Sequence, residues 1–181
     1  ANILDRDGFV TNTFNGEELQ NREAIDANFR MKYYANEKLD LSLLYSLQRR
    51  ESQASAFVLI SEQNPLQSIL ENSPFEVNFN EMVFRNAFTQ NIALSLNYDF
   101  KTFSLNSTTS YQITDTERFD EFDYTPLDLQ AGGTELTYQT VAQELRLQST
   151  SQGNFNWTSG IFLYLNNDDR FETFENGTDG G

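Results

Sequence analysis

Eight side chains in two polar stretches carry the most versatile chemistry of this 181-residue sequence: Arg49, Arg50, Phe57, Arg85, Arg118, Phe119, Phe122 and Tyr124. Aromatic rings offer stacking surfaces and arginines offer planar forks for carboxylates, so these residues are candidate ligand contacts. The competing reading is that they fold the loops upon themselves. Asp115, Glu117, Asp120, Glu121 and Asp123 form an acidic cluster able to hold Ca²⁺ through carboxylate oxygens. Its spacing does not match an EF-hand loop, and charge runs are mostly solvated surface. Glu144 and Arg146 lie two apart and point the same way in a strand, either toward a ligand path or as rungs of a cross-strand charge ladder.

What is missing narrows the chemistry further. Histidine and cysteine are absent, which removes the commonest general base, disulfides, thiolate metal sites and cysteine nucleophiles. A Ser-His-Asp site cannot be assembled from these residues. No enzyme, catalytic residue or cofactor is therefore expected, apart from the Ca²⁺ option at 115–123. A formal net charge of -15 argues against nucleic acid, whose phosphates call for basic patches. No run of about 18 apolar residues is present to make a transmembrane helix. The mean hydropathy of -0.56 looks soluble, but it is a poor guide to a barrel, in which half of every spanning strand is polar.

The elements that would carry these residues are long alternating runs. In Phe88–Tyr98 the residues Phe88, Gln90, Ile92, Leu94, Leu96 and Tyr98 share one face, and the pattern restarts at Phe103, Leu105, Ser107, Thr109, Tyr111 and Ile113. Strand side chains alternate with period two, so each hairpin has one apolar and one polar face. Three hairpins are predicted, at about 24–48, 88–113 and 140–166. Residues 1–23 read as loop, with long connections at about 49–87 and 114–139. Asn64-Pro65 is a good helix start, with Leu66 to Leu70 as a short helix, and 176–181 reads as a flexible stub. All three prolines fall outside the alternating runs, as pairing on both sides requires.

The fold class that follows is all-β: an antiparallel transmembrane β-barrel segment of six to eight long strands, with short periplasmic turns and long extracellular loops. The apolar faces of the runs carry no charge, as lipid contact demands. Aromatic residues gather near the run ends, and Tyr33, Tyr45, Tyr98, Tyr111, Phe155 and Trp157 are expected in lipid-facing girdles. Asp26, Arg30, Lys32, Glu144 and Arg146 are expected to line the lumen. The alternatives are a passive porin-like barrel and a soluble all-β binding or adhesion module of the sandwich kind, whose half-buried strands also alternate.

Gln143-Glu144-Leu145-Arg146-Leu147-Gln148-Ser149, followed by Asn156-Trp157-Thr158-Ser159-Gly160-Ile161-Phe162-Leu163-Tyr164, resembles a hairpin common in the barrels of TonB-dependent outer-membrane receptors. Asn97-Tyr98-Asp99-Phe100 leading into Ser107-Thr108-Thr109-Ser110-Tyr111 looks like the preceding hairpin of that family, and Asp40-Leu41-Ser42-Leu43 after a short turn is in the same style. The resemblance covers about Ala24 to Leu165. It implies a barrel of about 22 strands occluded by an N-terminal plug. It further implies import of a scarce nutrient (siderophore-iron, cobalamin or oligosaccharide) across the outer membrane of a Gram-negative bacterium. The expected partners are outer-membrane lipid and lipopolysaccharide, the nutrient, and the TonB complex acting through a plug domain. No plug is identifiable among these residues, so this chain is expected to be a fragment.

Overall fold

The computed structural model describes residues 1–53, 75–150 and 154–180. The candidate contact Phe57 and the short helix expected after Pro65 lie outside the described residues. The strands are β1 (Asn2–Arg6), β2 (Val10–Asn12), β3 (Glu18–Leu19), β4 (Arg22–Asn36), β5 (Leu39–Ser52), β6 (Glu76–Val77), β7 (Phe84–Asp99), β8 (Phe103–Glu121), β9 (Gln130–Ser149) and β10 (Thr158–Asn176). A 3-10 turn, Thr178–Gly180, follows. Seven strands form one antiparallel sheet in the order β1-β4-β5-β7-β8-β9-β10, so each long strand pairs with its neighbour in sequence. The three short ones form a separate sheet, β3-β2-β6.

Register puts the alternating runs on common faces. One row reads Met31, Leu43, Leu94, Thr109, Gln143, Leu163, and the next reads Phe29, Tyr45, Ile92, Tyr111, Val141, Leu165. Leu41, Leu94 and Leu163 therefore lie on one face of one sheet, and do not meet across a second sheet as a sandwich would require. This face stays open: Leu94 is 51% and Leu163 61% exposed. Leaving a leucine in water forgoes roughly 1.5–3 kcal/mol of burial, and a whole sheet face of such residues is tolerable only against hydrocarbon or another apolar surface.

Polar residues on the apolar face satisfy one another. Gln143 Nε2 donates to Ser107 Oγ at 3.1 Å, and the Thr109 hydroxyl donates to Gln143 Oε1. The adjacent strands bring these three residues together although the sequence separates them, leaving fewer open polar groups for a solvent that cannot hydrogen-bond. The opposite face is a ladder of small polar pairs, among them Ser95–Thr108 at 3.1 Å, Thr89–Thr114 at 3.1 Å and Asn97 Nδ2 to Asp40 Oδ1 at 2.8 Å.

The two ends of the sheet differ. At one end the connections are tight: Asn36 Oδ1 accepts from the amides of Lys38 (2.9 Å) and Leu39 (3.1 Å), and Phe100 N donates to Phe103 O at 2.8 Å. Here Tyr98 meets Phe100 at 4.6 Å, Phe100 stacks on Phe103 at 4.3 Å, and Phe103 lies 6.5 Å from Trp157. Phe155 and Trp157, expected in the returning strand, precede it, and β10 begins at Thr158. Tyr45 and Tyr111 flank Ile92 higher on the apolar face, with the Tyr45 hydroxyl donating to Gln90 Oε1 at 2.9 Å.

At the other end the pairing continues well past the expected hairpin bounds, to 22–52, 84–121 and 130–176. Strand therefore enters both stretches expected as loops, at 49–52, 76–77 and 84–87 in the first and at 114–121 and 130–139 in the second. Gly132-Gly133, expected in a loop, belongs to β9: a Cβ on Gly132 would lie 2.9 Å from the ring of Phe122 and 2.5 Å from Thr173 O. Residues 1–23, read as loop, hold three strands. The chain end at 176–180 is tied rather than loose, with Thr178 N donating to Asp128 Oδ2 at 2.9 Å and Gly177 N to Leu129 O at 2.8 Å.

The small sheet has its own core of Val10, Leu19, Val77, Phe79 and Val83. Asn12, 1% exposed, pins it: Nδ2 donates to Phe79 O at 2.9 Å, and Oδ1 accepts from Phe79 N at 3.3 Å and Phe14 N at 3.2 Å.

Candidate ligand site

Past the apolar band, the polar face of the sheet turns basic. Arg6 on β1 pairs directly with Arg22 on β4, and Arg85 on β7 directly with Arg118 on β8. Ser52 on β5 pairs with Arg85, so this serine stands between Arg22 and Arg85; one row below, Ala24 and Ala87 flank Arg50. Short side chains form the floor and arginines the rim. The result is a hollow of about 370 Å³ lined by four arginines, Arg6, Arg22, Arg50 and Arg85, with Ser52, Ala87 and one acidic residue, Glu51, among others.

The counter-charges are uneven. Arg50 reaches Asp26 at 3.6 Å and Arg118 reaches Asp120 at 3.1 Å. Arg6 donates to the backbone oxygen of Gln20 at 2.8 Å and lies 5.6 Å from the centre of the Phe9 ring. Among the described residues, Arg6, Arg22 and Arg85 make no ion pair, in a chain with 27 acidic and 12 basic residues.

A second hollow, about 450 Å³, lies at the same height and draws most of its lining from the opposite face, including Glu51, Asp115, Glu117 and Glu135 with Arg49. Arg49 is ion-paired to Glu51 there. The larger hollow is thus acidic and opens mainly on the continuation of the apolar face, and the smaller is basic and lies on the polar face. The smaller hollow, on the polar face, is the candidate ligand site.

The sequence-derived candidates divide accordingly. Arg50 and Arg85 meet in the basic hollow, and Arg118 continues its row. Arg49 points to the other face. Phe119 stacks with Phe84 at 6.3 Å on the continuation of the apolar face, and Phe122 covers Gly132 and lies 5.9 Å from Phe174, so both serve packing. Tyr124 occupies the loop after β8 with φ 55°. Its hydroxyl pKa is raised by burial and by the nearby charges of Asp120 and Glu121. Arg6 and Arg22 were missed because their stretch reads as loop, although stepping back by twos from Asp26 reaches Ala24 and Arg22 on the same face.

Asp26, Arg30, Lys32, Glu144 and Arg146 share the polar face, where Lys32–Asp40 at 3.4 Å and Glu144–Arg146 at 2.7 Å make a charge ladder. Of the acidic cluster at 115–123 only Glu121 and Asp123 are seen to meet, carboxyl against carboxyl. Asp115 accepts from Thr137 at 2.7 Å, Asp120 pairs with Arg118, and Asp123 accepts from Thr125 N at 2.9 Å and Gln130 N at 3.1 Å. Among the described residues no three metal-ligating side chains come together.

No family model matches the sequence, and no curated protein sequence is similar to it. Among solved structures, the ferric yersiniabactin uptake receptor FyuA from Yersinia pestis matches with a TM-score of 0.77 at 13% identity, over 98% of this chain and 27% of that one. The chain thus spans about a quarter of that receptor's length. At this identity the likeness is one of fold: the seven-stranded antiparallel sheet matches a segment of that receptor.

Proposed function

We propose that the chain is part of the barrel wall of a TonB-dependent receptor in the outer membrane of a Gram-negative bacterium, importing a scarce nutrient of the siderophore-iron, cobalamin or oligosaccharide class. The observation that carries this reading is the fold shared with an uptake receptor. The two-faced wall supports it, because hydrocarbon suits one side and water the other. The apolar face would meet lipid and, above it, lipopolysaccharide. Asp26, Arg30, Lys32, Glu144 and Arg146 would line the lumen; several of these charges are already paired on the wall, which suits passage better than retention. Capture would fall to the mouth, where arginines remain unpaired by acids. The TonB complex would act through a plug domain outside this chain, and no covalent chemistry is required of these residues.

The test is uptake by cells expressing the full-length receptor, using radiolabelled iron loaded on a panel of siderophores, with labelled cobalamin and maltotriose alongside. The expected result is accumulation of one of these that disappears when TonB is deleted. Accumulation that persists without TonB would replace the reading with a passive pore, and loss of the protein from the outer-membrane fraction on carbonate washing would remove the barrel.

A further inference from the structure

We infer that the basic hollow is a subsite for a small polyanion bearing at least two carboxylate or phosphate oxyanions, which narrows the nutrient class of the reading above and rests on it. The first argument is energetic. Two cross-strand Arg–Arg pairs stand at one end of one face, Arg6 with Arg22 and Arg85 with Arg118, with Arg50 a row below. Like charges placed directly opposite destabilise a sheet. This chain has carboxylates in excess, yet none described pairs with Arg6, Arg22 or Arg85, and the neighbouring positions hold Ser52, Ala24 and Ala87. A bound oxyanion relieves that repulsion, and the arrangement has no evident value to the wall without one.

The second argument is geometric. Guanidinium groups present paired donors in a plane that matches carboxylate and phosphate. Rim arginines on β1, β4 and β7, with Arg50 from β5, approach the hollow from several sides, so oxyanions separated by a few bonds can each find a fork. The volume of about 370 Å³ falls in the range of small-molecule sites. A neutral oligosaccharide would leave these charges unanswered.

The charge reversal across the wall supplies the control. Arg50 faces the hollow, whereas its sequence neighbour Arg49 is not among the lining residues and lies on the other face, paired with Glu51, the acidic residue that touches both hollows. The experiment is calorimetric titration of the full-length receptor in detergent at low ionic strength with citrate, inorganic pyrophosphate and neutral maltotriose. The citrate and pyrophosphate arms distinguish a carboxylate ligand from a phosphate one. Saturable binding of one of the two anions is expected. It should weaken at least tenfold in the double variant Arg22→Gln/Arg85→Gln and also as salt rises, while Arg49→Gln leaves it unchanged. Heat-modifiable gel mobility checks that each variant still forms the barrel, and single Arg22→Gln and Arg85→Gln variants replace the double variant should it fail. Binding of neither anion, or equal weakening by Arg49→Gln, would overturn the inference. TonB-dependent uptake alongside either of those results would leave the receptor reading standing, whereas anion binding without TonB-dependent uptake would remove that reading and keep the subsite.

Discussion

Glu121, 1% exposed, closes β8 where that strand meets the segment after the small sheet. Its Oε2 accepts from Glu81 N at 3.2 Å, and its carboxyl group lies against Asp123. Burial first, and then the hydrogen bond and charge of Asp123, push its pKa up to about 8 from 4.5. Burial acts against ionisation of Asp123 too, but hydrogen bonds from Thr125, Glu121 and the amide of Gln130 hold its pKa below the usual value, so Glu121 keeps the proton and Asp123 the charge. The folded state therefore binds the Glu121 proton more tightly than the unfolded state does. Its penalty is absent below pH 4.5, grows as pH rises toward 8 while only the unfolded carboxyl ionises, and levels off above. At about 1.4 kcal/mol per pKa unit this amounts to a few kcal/mol. Glu121→Gln keeps a neutral donor and should remove that dependence. Protection of the Glu81 amide against hydrogen exchange should match wild type at pH 5 and exceed it at pH 8.5. Equal protection at both pH values would mean that Glu121 is ionised in the fold. Asn12 is a simpler case, because Asn12→Ala strands the amide and carbonyl of Phe79 in a buried site. The cost should be about 1–3 kcal/mol, appearing as lost protection at Phe79.

At the scale of the strand, face decides consequence. Leu94 and Ser95 are neighbours on β7, one in the row of Leu43 and Thr109, the other bonded to Thr108. Leu94→Arg should lower the stability of the full barrel in lipid vesicles by about 2–4 kcal/mol. Ser95→Arg should cost about 1 kcal/mol, since the change loses only a neutral hydrogen bond on the wet side. Urea unfolding followed by tryptophan fluorescence compares them, and equal costs would mean that lipid does not bathe the Leu94 face. The same physics explains what could be read from sequence. Within the membrane one face must be apolar, so Leu39–Leu47, Phe88–Tyr98 and Phe103–Ile113 announce themselves by alternation. Above it both faces are wet: Glu51, Asn86, Glu117 and Glu135 continue the apolar face as a polar row, and the period disappears although the ladder of hydrogen bonds runs on. That is why the hairpins extend beyond their expected ends and why Arg6 and Arg22 were hidden. The small sheet was illegible for another reason: its strands are two or three residues long, and β2 finds β6 across more than 60 residues.

Across the whole molecule the two ends of the sheet are unequal, and the proposed receptor reading turns that into an expected orientation. β9 has 20 residues, roughly 66 Å of strand, or about 47 Å along the membrane normal at a 45° tilt. The apolar band of such barrels is about 25 Å tall, so about 20 Å of wall stands clear of it. The excess lies at the end bearing the small sheet, the arginine hollow and the loop around Leu127, because at the other end the aromatic belt of Tyr98, Phe100, Phe103 and Trp157 sits beside the tight turns. Outer-membrane barrels keep short turns in the periplasm and raise their long end to the exterior, where a nutrient is first met. This chain contributes no cysteine, so single substitutions can report side. Leu127→Cys, at an exposed loop position, should react in intact cells with a membrane-impermeant maleimide, while Lys38→Cys and Lys101→Cys, in the short turns, should react only once the outer membrane is permeabilised. The reverse pattern would place the arginines on the periplasmic side, where they could meet only a ligand that had already crossed, and capture at the mouth would have to be assigned to other parts of the barrel.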